Sequence, residues 1–207
     1  MHQHTIEDGA VHFALDCMEK VQIETANMDM RNALAHLQMV SKEDIERLTG
    51  LNAIAVVAPL WMCRDDLGVY KQSVQFIGDK RTFYSYPMES FIRQKGILAF
   101  HSDYPVSTAI SVPRSIYMAC KRSDPHREVY YQWNPDECIS RYNALQGMTQ
   151  GPAYSVKQEA HLGSLFIGFV ANLAVFDKDF LYDDLEEVAD SKIIATIIDG
   201  EVVFEAK

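Results

Sequence analysis

Two short, uninterrupted apolar runs constrain the fold of this chain more than any other feature. Residues 53–58 read Ala-Ile-Ala-Val-Val-Ala, and residues 97–100 read Ile-Leu-Ala-Phe. Apolar runs of this length, without polar alternation, are typical of strands that are buried on both faces of a parallel sheet. Segments with helical spacing lie before, between and after these runs. The alternation therefore predicts an α/β fold in which helices connect parallel strands.

The sequence also predicts the other elements. A strand at residues 2–6 precedes an amphipathic helix that begins near Asp8, and a short strand candidate lies within residues 30–38. Further helices are predicted at residues 41–48, 85–94, 112–121, 134–146 and 152–158, whereas residues 65–82 give no clear pattern. After Gly163 the sequence becomes β-rich, and Asp199-Gly200 is a strong hairpin signal. We therefore expect an α/β region over residues 1–160 and an antiparallel β region over residues 161–207.

Composition and charge argue against several classes of function. Of the 207 residues, 48% are hydrophobic, which is enough to form a sizeable core. A net charge of −10, without a cluster of Lys and Arg, argues against nucleic-acid binding. No apolar run approaches the roughly 20 residues that a membrane span requires, and the polar N-terminus does not resemble a signal peptide. The four cysteines are widely spaced, which is typical of reduced thiols, so we expect a cytoplasmic protein.

Three predicted strands end in residues that can bind a metal ion, namely His4, His36 and Asp103. Neutral imidazole and carboxylate groups together suit Zn²⁺ or a similar divalent ion. The carboxyl ends of parallel strands meet at one face of a barrel, where a carboxylate can act as general base and return the proton to a leaving amine. The residue types alone leave other readings open. A single His at a strand end is more often an ordinary core or surface residue, and Asp before Tyr-Pro is often a turn former.

Four further residues are candidates for contact with a substrate. His101 and Tyr104 flank Ser102-Asp103, and Trp61 follows the apolar run at residues 53–58. Arg81 is a candidate for binding the substrate by its charge. An ordinary buried aromatic remains the alternative for Trp61 and Tyr104, and a surface charge remains the alternative for Arg81.

Four segments, in chain order, resemble the amidohydrolase superfamily, and most closely amidohydrolase family 3. Residues 4–11 are similar to its His-Ala-Ile-Gly-Asp-x-Ala segment, and residues 35–45 to its Glu-His-Ala-Gln segment. Residues 100–106 resemble its Gly-Ser-Asp-Trp-Pro-Val segment. Residues 163–177 and 196–203 resemble its closing Gly-Ser-Leu-x-x-Gly-Lys-x-Ala-Asp segment and terminal hairpin. Each motif alone is weak, but their combination and order are specific.

The resemblance implies the C-terminal half of a (β/α)₈ TIM-like barrel, strands five to eight, followed by strands of a small β-sandwich domain. It implies a metal-dependent hydrolase that cleaves a non-peptide, amide-type C–N bond of a small-molecule substrate, with Zn²⁺ as the expected metal. His4 and His36 would match metal ligands. Asp103 would match the residue that both binds metal and activates water.

Some positions depart from the family pattern. Glu7, Ala35, Phe169 and Asn172 replace its usual Gly, Glu, Lys and Asp, and none of them is a ligand position. The family's first-strand His-x-His motif and fourth-strand ligand have no match, since the continuation of His2-Gln-His4 fits the fifth strand better. We therefore expect the chain to be inactive alone and to need the missing N-terminal half or a homo-oligomer. The alternative is a non-catalytic remnant or an oligomerising fragment.

Overall fold

A four-stranded parallel sheet is the centre of the fold. The computed structural model describes residues 1–64, 69–107, 110–126 and 131–207. The strands of this sheet lie in the order β1-β2-β3-β4 and comprise His2–Thr5, Ala33–His36, Ile54–Val57 and Ile97–Phe100. All three strand pairs are parallel. The parallel sheet predicted from the sequence is confirmed.

The two faces of this sheet carry side chains of different size. Leu34, Val57 and Phe100 belong to a large apolar cluster that includes Val11 and Leu15 of the first helix. The other face carries the smaller cluster Ala33, Ile54, Val56 and Ala99. Because successive residues of a strand point to opposite faces, the register places His4 on the face of Ala35, Val56 and Ala99.

Helices connect the parallel strands and follow them. They comprise α1 (Asp8–Thr25), α2 (Lys42–Gly50), α3 (Val69–Ile77), α4 (Asp79–Phe83), α5 (Met88–Arg93), α6 (Val112–Lys121), α7 (Arg141–Met148), α8 (Gln150–Ser155) and α9 (Leu185–Ala189). Half of the capping box predicted for α2 is present, since the Ser41 side chain accepts a hydrogen bond from the Asp44 amide at 3.1 Å. The Asp44 carboxylate accepts from the Ser41 hydroxyl at 2.9 Å. The predicted bounds of α6 are confirmed.

The helix predicted at residues 134–146 begins later than expected. Asn134 has a left-handed φ of 46°, whereas an N-cap residue normally has an extended backbone. Only a short 3₁₀ turn, Pro135–Glu137, follows it. Ser140 caps the helix instead, with its side chain accepting from the Asn143 amide at 3.1 Å. The sequence analysis did not predict α3, α4 or α9. Helices α3 and α4 lie within or next to residues 65–82, which gave no clear pattern, and residues 65–68 lie outside the described residues.

The C-terminal region forms a second sheet that is antiparallel. It contains β5 (Leu173–Phe176), β6 (Ile193–Ile198) and β7 (Glu201–Glu205) in that order. The hairpin predicted at Asp199-Gly200 is confirmed, and both residues have positive φ. The C-terminal region packs on the α/β region, since Leu185 and Val188 of α9 form a buried cluster with Tyr117 and Met118 of α6. No helix in the described part of the chain is long and apolar enough to cross a membrane.

Candidate metal centre

Three histidine rings lie together at the carboxyl end of the parallel sheet. The ring centroids of His4 and His36 are 4.4 Å apart, and the ring planes meet at 69°. The His101 ring follows β4 and lies 5.3 Å from the His36 ring, at 66°. The parallel strands therefore bring together two predicted ligands, His4 and His36, and one predicted substrate-binding residue, His101.

The backbone at the strand ends positions these rings. The Leu37 amide donates to the Thr5 carbonyl at 2.9 Å, and the His101 amide donates to the Val57 carbonyl at 3.0 Å. These bonds extend the ladders of the sheet by one residue. His36 has a left-handed φ of 75° and Leu37 one of 46°, so the chain turns sharply where β2 ends. Other described loop residues share this conformation, so it does not single out the site by itself.

Burial favours the neutral form of two of the histidines. Burial, and then the neighbouring His4, lower the pKa of His36. Burial, and then the neighbouring His36, lower the pKa of His101 to about 4. Nδ1 of His36 and Nε2 of His101 are buried and have no hydrogen-bond partner among the described residues. A neutral imidazole with an unpaired nitrogen is the form that binds a metal ion.

Asp103 lies close to this cluster. It is half-buried, and its charge raises the pKa of both His36 and His101, an effect smaller than that of burial. Its backbone φ is 55°, and its carbonyl accepts a hydrogen bond from the Val106 amide at 2.7 Å. The turn that the sequence offered as an alternative is therefore present at Asp103, and its carboxylate is near enough to His36 and His101 to influence their pKa.

The other candidates have different surroundings. Arg81 forms an ion pair of 2.9 Å with Asp8, the first residue of α1, and both side chains are about half exposed. Tyr104 is 69% exposed. The structure therefore brings His101 into the cluster, whereas Arg81 pairs with a carboxylate and Tyr104 faces solvent.

Trp61 contacts the cluster more closely than the sequence indicated. It ends a 3₁₀ turn, Pro59–Trp61, that follows β3. Its ring lies 5.3 Å from the His36 ring with the two planes parallel, and 6.4 Å from the His101 ring. The sequence signal for this residue was only its place after a buried strand, and no spacing rule identified the stacking partner.

The donor chemistry of this cluster suits a divalent cation. Neutral imidazoles and a carboxylate are the usual ligands of Zn²⁺, and two buried imidazole nitrogens lack partners. Within residues 1–64, 69–107, 110–126 and 131–207, however, no three His, Cys, Asp or Glu residues lie in a geometry that could hold a metal ion. The described residues fit a part of a metal site.

A cavity of about 390 Å³ lies elsewhere in the molecule. It is lined by residues of β4, α7 and α8 and by the segment that contains Phe166 and Phe169, and it shares no lining residue with the histidine cluster. This cavity is therefore separate from the histidine cluster.

Comparison with known proteins identifies the family. The sequence model of the amidohydrolase family matches residues 1–204. The chain belongs to the amidohydrolase family. The membership that the four sequence segments indicated is confirmed.

Individual relatives cover nearly all of this amidohydrolase chain, but the chain covers only part of them. It is 29% identical over 202 residues to Protein LONG AFTER FAR-RED 3 of Arabidopsis thaliana. The aligned region covers 97% of this chain and 33% of that protein. It is 26% identical over 203 residues to the protein named Putative amidohydrolase YtcJ of Bacillus subtilis. The aligned region covers 98% of this chain and 37% of that protein. The chain thus spans about a third of the length of the curated relatives it matches.

A solved structure shows the same relation. An uncharacterized metal-dependent hydrolase from Pyrococcus furiosus matches with a TM-score of 0.69 and 26% identity. The match covers 87% of this amidohydrolase chain and 34% of that protein. The α/β fold of this chain is therefore a part of the fold of that larger hydrolase.

Proposed function

We propose that this chain forms part of a metal-dependent hydrolase that cleaves an amide-type C–N bond, other than a peptide bond, in a small molecule. The observation that carries the proposal is the convergence of His4, His36 and His101 at the carboxyl end of the parallel sheet. This is the end at which barrel enzymes hold their active sites. Membership in the amidohydrolase family and the likeness to a metal-dependent hydrolase support the same proposal.

In this proposal, β1 to β4 are strands five to eight of a (β/α)₈ barrel, and β5 to β7 are strands of a small β-sandwich domain. β1 and β4 each pair on one side only within the described sheet. A closed barrel supplies a neighbour for both edges. The match to about a third of the length of the relatives supports this assignment, because the other strands would come from the rest of such a protein.

His4, His36 and Asp103 would hold the metal ion, for which we propose Zn²⁺. A bound cation of this kind supplies Lewis-acid activation of water and of the scissile carbonyl. The Asp103 carboxylate accepts a proton from the attacking water and then returns it to the leaving nitrogen. His101 lies beside His36 and can donate to or accept from the substrate, while Tyr104 and Arg81 are proposed to contact its outer part.

The test compares two aspartates that share a backbone conformation. In the polypeptide that carries this chain together with the rest of the barrel, Asp103→Asn is expected to lower the rate on small amides by about 100-fold or more. Asp199→Asn is the matched control, because Asp199 has a φ of 51° against 55° for Asp103 and lies in the distant hairpin. Equal activity of the Asp103 variant and the wild type would reject the catalytic role. Bound metal is measured in parallel by elemental analysis.

A second candidate is a non-catalytic remnant that associates through its uncovered surfaces. Leu165, Phe166 and Ile167 are consecutive, strongly exposed apolar residues, which favours a partner polypeptide. This candidate predicts a stable homo-oligomer with no bound metal. Sedimentation equilibrium and metal analysis of the same sample distinguish it from the hydrolase, which predicts metal binding once the barrel is complete.

A further inference from the structure

The packing around His36 leaves its ring orientation without the usual support. In metal sites, the second nitrogen of a ligating histidine normally donates to a carboxylate, a backbone carbonyl or a water, and this bond fixes the ring. Nδ1 of His36 is buried without a partner, and no described residue forms a hydrogen bond with Nε2, so whichever of the two nitrogens binds the metal ion, the other lacks such a bond. Another contact must therefore hold the ring if it is to bind a metal ion in one orientation.

Three rings surround the His36 ring. Those of His4 and His101 meet it edgewise, at 69° and 66°. Only the Trp61 indole lies parallel to it, with the ring centroids 5.3 Å apart and an interplanar angle of 0°. This distance is in the range of offset stacking. Contact with the face of a neutral imidazole restricts its rotation but leaves its in-plane nitrogen lone pair free.

The indole is itself held in place. Its Nε1–H donates to the Ser107 hydroxyl oxygen at 2.8 Å. Ser107 lies in the turn after β4, where its amide donates to the Asp103 carbonyl at 3.3 Å. Trp61 thereby connects the loop after β3, the loop after β4 and the end of β2. It is only partly buried, although it also packs against the main core.

We propose that Trp61 is a positioning residue, whose indole packs against the face of His36 and fixes the orientation in which that imidazole binds a metal ion. The proposal rests on the proposed function, in which His36 is a metal ligand. In this role Trp61 would act through His36 and would not itself be a ligand. Stacking replaces the hydrogen bond that orients other ligating histidines.

The first test needs no metal. In the 207-residue chain, nuclear Overhauser effects between the Trp61 and His36 ring protons are expected, together with upfield ring-current shifts of the His36 carbon-bound protons. Trp61→Leu should remove these shifts, and Trp61→Phe should retain part of them because a planar ring remains. Tyr142→Leu, which removes an exposed aromatic of α7, is the matched control and should leave the His36 shifts unchanged.

Ser107→Ala provides an independent variant in case Trp61→Leu does not fold. It keeps the indole but removes the oxygen that accepts its hydrogen bond, so the His36 shifts should move partway. If the wild type shows no contact between the two rings, or if the His36 shifts are the same in Trp61→Leu and wild type, the positioning role is rejected.

The second test uses Co²⁺ alone as the probe. It is made in the complete barrel, with this chain isotope-labelled as a segment, so that the indole N–H spectrum has one resonance for Trp61 and one for the buried Trp133. Co²⁺ binding should broaden the Trp61 resonance more than that of Trp133, and Trp61→Leu should weaken Co²⁺ binding about 10-fold or more, with partial rescue in Trp61→Phe. Unchanged affinity in Trp61→Leu would reject the proposal while leaving the metal site intact. A wild type, tested with the complete barrel, that binds no Co²⁺ would instead reject the proposed function.

Discussion

The two ends of the parallel sheet differ in how their polar side chains are paired. At the carboxyl end, His36 and His101 each keep a buried nitrogen without a partner among the described residues. At the amino end, Arg31, two residues before β2, donates to Asp29 at 2.8 Å and to Glu159 at 2.7 Å. Its guanidinium also lies 4.1 Å from the centre of the Tyr154 ring.

Further contacts at the amino end connect distant parts of the chain. The Arg31 guanidinium donates to the Tyr154 carbonyl at 3.2 Å. The side-chain amide of Asn52, two residues before β3, donates to the Tyr154 hydroxyl at 2.9 Å. These contacts join the starts of β2 and β3 to α8. One carboxylate oxygen at the amino end, Oε2 of Glu159, is also buried without a partner among the described residues, but Oε1 of the same group pairs with Arg31. The comparison indicates that paired groups at the amino end stabilise the fold, whereas the imidazoles at the carboxyl end are available for a ligand.

The largest expected effect is on metal affinity at the carboxyl end. His4 is exposed, so His4→Gln should change the free energy of unfolding of the metal-free chain by no more than about 0.5 kcal/mol. Metal affinity in the complete barrel should fall by about 100-fold or more, because a ligand is lost. Isothermal titration with Zn²⁺ and urea unfolding measure the two quantities. A stability loss without an affinity loss would reverse the comparison.

The opposite pattern is expected at the amino end. Arg31→Gln removes the ion pairs with Asp29 and Glu159 and the contact with the Tyr154 ring, so it should lower the urea midpoint more than His4→Gln does. Zn²⁺ affinity of the folded protein should stay at the wild-type value. Arg93→Gln, at an exposed pair with Glu89, is the control and should leave the midpoint unchanged.

A smaller effect is expected for Tyr154→Phe. This change removes the hydroxyl that accepts from Asn52 but keeps the ring beneath Arg31. Loss of one such hydrogen bond should lower the free energy of unfolding by about 0.5–1.5 kcal/mol. Urea unfolding of Tyr154→Phe, Asn52→Ala and the double variant tests the pair. Additive effects of the two single changes would show that the hydrogen bond contributes nothing.

The smallest expected effect is a pH dependence at the amino end. The side-chain hydrogen bond from Arg31 lowers the pKa of Asp29. A lowered pKa in the folded state means that the stabilisation is complete above the unfolded value, about 3.9, and is lost as the pH falls through the folded value. The carboxyl carbon of Asp29, followed by NMR, should therefore titrate below 3.9. In Arg31→Gln its midpoint should move up towards that value, and an unchanged midpoint would contradict the pairing.

The sequence predicted the parts of the fold that depend on local patterns. The apolar runs at residues 53–58 and 97–100 became β3 and β4, and Ser41 caps α2. The predicted start of α7 at Asn134 was wrong, because the residue type does not reveal that the Asn134 backbone is left-handed. Instead, Glu137 accepts a hydrogen bond from the Ser90 amide at 2.9 Å, a contact between residues 47 positions apart.

The candidate site was predictable to a similar degree. Family resemblance and strand ends identified His4, His36 and Asp103 and placed His101 nearby, and the structure brings the histidines together. The ion pair of Arg81 with Asp8 could not be predicted, since it joins residues 73 positions apart. The roles of His4, His36 and Asp103 in metal binding, and of His101 in substrate binding, stay predictions.

The sequence by itself determined the alternation of strands and helices, the parallel sheet, the family and the residues that carry metal-compatible atoms. These follow from periodicity and from short motifs, which act over a few neighbouring residues. Only the tertiary structure decided which nitrogens stay unpaired, how the Trp61 ring meets His36 and which end of the sheet is held by Arg31. Ring orientation and burial depend on packing between strands and loops that are far apart in the chain, and local sequence patterns carry no record of that packing.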